Sequence, residues 1–111
     1  MARGNRERDD ARELLGRATT HGDIISAVAR LRIADSLFAQ ARAEDSRWTR
    51  PLVERGWTAL VRASVDSGES RKGLFAAALA FARQATAEVP NDATALELRG
   101  TARWRAYRAG G

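Results

Sequence analysis

His21 is the only histidine in the chain, and Asp23 and Ser26 follow it closely. A hydrolytic site needs a nucleophile and a base in mutual reach, with a third group to orient the base. These three supply the residue types, but nothing else in the sequence builds such a site, and "THGD" reads as an exposed loop before a helix. There is no cysteine, so disulfides, thiolate metal sites and cysteine nucleophiles are excluded. The carboxylates Asp9, Asp10 and Glu13 that remain as ligands read as the acidic first turn of a helix. "DSGESRKG" holds glycines and a basic pair, yet lacks the phosphate-loop spacing that ends in Gly-Lys-Ser/Thr. It reads as a solvated loop, and the terminal "RAGG" as a linker. No cofactor or metal is expected, and the chain is read as non-catalytic.

Arginine and the large aromatics are the residues left that could do recognition chemistry. Lys72 is the one lysine among 19 basic residues, which face 14 acidic ones for a net charge of +5. Acidic residues are interleaved along most of the chain, which argues against nucleic acid as the main partner. The exception is Arg99–Arg108, where four arginines and no acid share a segment with Trp104 and Tyr107. Cations suit a helix C-terminus, while arginines interleaved with aromatics can also grip phosphates and stack bases. Trp48 reads as a plug at the start of the third helix, and Trp57 and Trp104 are candidate anchors or core residues.

The elements that carry these residues are helical. At 111 residues with 44% hydrophobic content, much of it alanine, the chain is one domain of thin, closely packed helical layers. No run alternates apolar and polar residues as a strand would. No apolar stretch is long enough to cross a bilayer, and "MARGNRERDD" lacks the apolar segment of a signal peptide. The chain therefore reads as a soluble cytoplasmic protein, or a soluble segment of a larger one. Residues 1–8 read as a flexible polar tail, and the domain as 9–109. A first helix is expected from about Asp9, with Ala11, Leu14 and Leu15 at helical spacing. A second is expected from about Ile24 to Ala43, capped by Asp23. The third follows Ser46 or Thr49, with Pro51 in its first turn. The fourth runs from about Leu74 to Glu88. The fifth follows Pro90, with Asn91 or Asp92 as cap, and carries Leu96, Gly100, Trp104 and Tyr107.

"LVERGWTAL" and "LELRGTARW" lie 44 residues apart and share register: Leu52 falls on Leu96, Arg55 on Arg99 and Gly56 on Gly100. The same shift carries Ala34 to Ala78 and Ala41 to Ala85. Glycine within a helix costs about 1 kcal/mol against alanine. That cost is offset where the missing side chain lets another helix approach. Gly56 is expected to face Ala78 of its own hairpin. Gly16 in "LLGRA" echoes the two glycines, which gives five helices, or two and a half hairpins.

These residues resemble the tetratricopeptide-repeat family. Its second-helix pattern of small, aromatic and small residues followed by proline reads here as Ala34, Phe38 and Ala41 with Ser46 in place of proline. In the next unit it reads Ala78, Ala82, Ala85 and Pro90, with Phe81 one position off. Gly56 and Gly100 match the first-helix glycine. The period exceeds the roughly 34 residues usual in that family, consistent with a lengthened loop. The wording also resembles helical-repeat segments of bacterial multidomain proteins. The resemblance implies a short right-handed α-solenoid of antiparallel helix pairs whose first helices line a concave groove. Carried over by register, the groove falls on Arg50, Val53, Trp57, Leu60 and Val61, then on Thr94, Glu97, Thr101, Trp104 and Arg105, with Glu13 and Arg17 from the first helix. The implied function is a protein-interaction scaffold holding a partner's peptide or helix, with acidic ligands suiting the arginines. The first alternative is self-association, as a homodimer through the C-terminal helix or a fragment of a longer array. The second is nucleic-acid binding through the arginine-rich last helix.

Overall fold

In a computed structural model, which describes residues 2–17 and 21–109 and the side chains of 3–15 and 22–109, five helices follow one another. They are α1 (Ala2–Arg17), α2 (His21–Glu44), α3 (Arg50–Ala63), α4 (Gly68–Glu88) and α5 (Ala93–Arg108). No strand occurs among the described residues, so the chain is all-α as expected. None of the described helices is long and apolar enough to cross a membrane.

The starts of the helices follow from capping chemistry, with three departures from expectation. Asp92 caps α5: its carboxylate accepts from Thr94 N at 3.0 Å and Ala95 N at 3.2 Å. Thr49 precedes α3, with Pro51 in the first turn, but its hydroxyl donates to Glu88 Oε1 at 3.1 Å instead of capping its own helix. Asp23 lies inside the first turn of α2, where its charge favours the helix N-terminus, and is not the residue before it. Most of "DSGESRKG" is helix: Ser67 is extended, Gly68 takes the turn at φ 60°, and α4 begins there. Glu69, Arg71 and Lys72 are good helix formers, and Lys72 pairs with Glu69 one turn back at 3.6 Å.

The largest correction concerns residues 1–8. Residues 2–8 do not form a tail: α1 begins at Ala2, and its first two turns lie against α2. The reason is Phe38, fully buried. A Cβ on Gly4 would sit 2.8 Å from the Phe38 ring, so glycine is what admits the aromatic there. The Arg8 guanidinium stacks over the same ring at 5.7 Å. Farther along, Arg30 of α2 reaches Asp10 at 3.4 Å and Glu7 at 3.6 Å.

Each described helix packs on its neighbour in sequence, and α3 also touches α5. The overall extents are 40 × 33 × 20 Å. The short dimension accommodates two layers of helices, each about 10 Å across. The main core lies among α3, α4 and α5, and alanines dominate the α4 side: Ala78, Ala82 and Ala85 are all fully buried. Ala34 of α2 is equally buried, while Ala41 is half-buried and Pro90 is exposed in the turn before α5. A smaller cluster of Ala11, Ala27 and Leu31 joins α1 to α2.

The repeated glycines are not equivalent. Gly56 is buried, but its close neighbour is Leu98 of α5, whose Cδ1 and Cγ would both lie 3.2 Å from an added Cβ. The expected contact with Ala78 is therefore replaced by one between α3 and α5. Gly100 is exposed, with open space where its Cβ would be. Leu52 and Leu96 differ in the same way, at 3% and 39% exposure, because no described helix covers the outer face of α5.

Candidate ligand groove

Three non-consecutive helices, α1, α3 and α5, wall one open cavity of about 400 Å³. Helix α3 forms its floor with Arg50, Glu54, Trp57 and Val61, spaced one turn apart on one face, together with Leu60. Helix α1 contributes Arg8 and Arg12, and α5 contributes Thr94, Glu97 and Arg105.

The charges on these walls fall into two groups. Glu54 is almost fully buried and is held from both sides, by Arg8 of α1 and by Arg50 Nε at 2.9 Å. An unpaired carboxylate would not survive at that depth. Thr58, one turn on, is satisfied by donating to the Glu54 carbonyl at 2.8 Å. Arg12, Glu97 and Arg105 are exposed on the rim. Arg12 and Arg105 form no side-chain hydrogen bond or ion pair with any described residue, so their guanidinium groups are available to a ligand. Trp57 is half-buried: it packs against the core cluster and still lines the cavity. It is therefore partly a core residue, with the remainder of its ring facing the cavity.

Of the groove residues expected from the repeat register, Arg50, Trp57, Leu60, Val61, Thr94, Glu97 and Arg105 meet in this one cavity. Val53 does not. It is fully buried in the core, because it lies one turn from both Arg50 and Trp57 but on the flank of α3 turned toward the core. Thr101 and Trp104 line an adjacent cavity, which shares Leu60 and Arg105 with the first. Arg17 and His21 lie outside the described side chains, and Glu13 is exposed and does not line the cavity. Helix α1 instead presents Arg8 and Arg12, one turn apart. The sequence held a signal for them in that spacing and in the Arg50–Glu54 pair four residues apart. Placing residues 1–8 in a tail concealed it.

The adjacent cavity, about 740 Å³, is lined by Leu60, Ser64, Arg71, Phe75, Thr101, Trp104, Arg105, Arg108 and Ala109. None of these is acidic. Trp104 is 59% exposed and Tyr107 77%, and their rings stack with centroids 6.2 Å apart at 23°. The Arg108 guanidinium lies 5.9 Å from the Trp104 ring. Trp48, expected as a plug, is 41% exposed, and its carbonyl accepts from Arg42 at 3.2 Å.

On the opposite side, Arg55 makes a two-pronged pair with Asp35 of α2, at 2.8 and 3.1 Å, and lies 4.5 Å over the Phe81 ring of α4. Phe81 is thus a platform for arginine and is only half-buried. Among the described residues, no group of three or more His, Cys, Asp or Glu side chains could hold a metal ion. Compared with known proteins, the chain matches no family model, no curated protein and no solved structure.

Proposed function

We propose that this chain is a non-catalytic protein-interaction module, a short stack of tetratricopeptide-like helix pairs that holds an acidic peptide or helix of a partner across α1, α3 and α5. One observation carries the reading: Arg12 and Arg105, both without a carboxylate partner among the described residues, flank the same cavity as Trp57. A carboxylate-bearing segment would gain charge-assisted hydrogen bonds from the rim and place an apolar side chain against the indole. The stacked arrangement is supported by links between alternate helices: Arg8 to Glu54 joins α1 to α3, Gly56 against Leu98 joins α3 to α5, and Arg42 to Glu88 joins α2 to α4.

Selection from a display library of random peptides tests this reading. The expected binders are rich in Asp and Glu and carry one aromatic or aliphatic anchor. Arg12→Glu and Arg105→Glu should each weaken the selected peptides at least tenfold without loss of helicity, since both side chains are exposed. Selected peptides with no acidic bias, or unchanged affinity in both variants, would remove the reading.

Self-association through α5 is a second reading, favoured by the uncovered Leu96, the open Gly100 and the exposed Tyr107. It predicts a sedimentation coefficient that rises with concentration, and a monomer throughout would exclude it.

A further inference from the structure

We propose that the α4–α5 end of the molecule binds single-stranded nucleic acid, in the cavity that adjoins the peptide groove and shares Leu60 and Arg105 with it. Three arginines, Arg71 of α4 with Arg105 and Arg108 of α5, line the second cavity, and no acidic side chain shares it. Arg99 and Arg103 add to the charge of α5 without lining the cavity, and no acid occurs between Arg99 and Arg108. That charge selects a polyanion.

The aromatic pair identifies which polyanion. Trp104 lines the cavity and stacks with Tyr107, and both rings are mostly open to solvent. An acidic peptide would engage the arginines and leave these two planes without a use. A single strand uses both, because its phosphates track the guanidinium groups while its unpaired bases stack on the rings. A duplex would keep its bases in its own stack and would meet only the charge. Arg108, whose guanidinium lies over the Trp104 ring at 5.9 Å, places a cation within reach of the backbone phosphate next to a stacked base. The last turn of α5 fixes this geometry. Arg105 and Arg108 suit a helix C-terminus, and the spacing from Trp104 to Tyr107 sets the rings one above the other on one face.

Fluorescence anisotropy with a fluorescein-labelled oligothymidylate and an oligouridylate of twelve residues tests the proposal on the whole chain. Three arginines at the phosphates predict a slope of log K against log salt of about −2 for a single strand. That is a loss of roughly fifteenfold between 50 and 200 mM salt. The double variant Trp104→Ala/Tyr107→Ala should lose at least tenfold at fixed salt with unchanged helicity, since both side chains lie on the surface. Arg108→Ala should flatten the slope by about 0.7. Arg47→Ala, in the turn between α2 and α3 and outside both cavities, should leave oligonucleotide affinity within twofold.

Absence of binding at 50 mM salt would overturn the proposal. So would a double variant that binds as well as the parent, or equal affinity for polyglutamate, for duplex of the same sequence or for phosphatidylserine vesicles. Any of these would mark a plain charged surface. The two readings fail separately: loss of peptide binding with retained oligonucleotide binding removes the groove, and the reverse removes this site.

Discussion

Gly56 of α3 and Leu98 of α5 are so close that a methyl group on the glycine would overlap the Leu98 side chain. Leu98 is fully buried, so its side chain can make room only by repacking against its own neighbours. Gly56→Ala therefore sets an overpacking cost of about 1–3 kcal/mol against a helix-propensity gain of about 1 kcal/mol. The expected outcome is a net loss of about 1 kcal/mol. Gly100 occupies the same repeat position in open space, so Gly100→Ala should stabilise by up to about 1 kcal/mol. Urea melts of the two variants check the opposite signs. In a Leu98→Ala background, Gly56→Ala should no longer destabilise.

Arg8 and Arg50 both hold Glu54, yet they should not matter equally. The Arg8 side chain is 14% exposed and that of Arg50 53%, while Glu54 is at 3%. Removing the buried partner leaves the carboxylate only the half-exposed Arg50, and Arg8→Ala should cost about 2 kcal/mol, less than an uncompensated buried charge would. Arg50→Ala removes a half-exposed partner, leaves Arg8 on the buried carboxylate and should cost less than about 1 kcal/mol. Chemical denaturation of the two variants separates them. Equal small losses would mean that α1 is not held to α3 through Glu54.

Stability should carry an acid-side signature from Glu88. Arg42 donates to both of its carboxylate oxygens, at 2.8 and 2.6 Å. The Arg42 hydrogen bond, helped by Thr49 and Gln84, holds the Glu88 carboxyl below its ordinary value of 4.5, against an opposing push from burial. A carboxyl depressed in the folded state adds stability above its unfolded pKa and loses it as pH falls through the folded value. The side chain is 30% exposed, so the contribution is limited to about 1 kcal/mol. Wild type should exceed Glu88→Gln by a constant margin above pH ~5, and the margin should shrink as pH drops below ~4.5. Thermal melts at pH 6 and pH 3 test this, and an unchanged gap would contradict it.

The helices themselves were legible in the sequence, because the apolar spacing of α2, the proline and asparagine-aspartate signals before α5, and the repeated "Leu-x-x-x-Gly" phrases are local features. Most of the α3 and α5 residues that line the cavity were named by that register too, once the glycines fixed it. The contribution of α1 was not. Its first two turns hold no large apolar residue, and they are helical because Gly4 and Arg8 fit against Phe38, a contact 34 residues away that periodicity cannot report. Val53 was misplaced for a related reason: a register names a helix face only to within a turn, and the packing of Leu98 and Phe75 around α3 decides which flank is core. The partner of Gly56 was likewise a tertiary matter, since hairpin logic pointed to α4 and the chain packs α5 there.

A backbone-amide NMR titration with an acidic peptide recovered from the display library tests the central claim most directly. Shifts are expected to cluster on Arg12, Trp57, Glu97 and Arg105, with the Trp57 indole N–H among the largest, and to leave Asp35, Phe81 and the outer face of α4 unmoved. Shifts centred on α2 and α4, or spread evenly over the molecule, would contradict a groove walled by α1, α3 and α5.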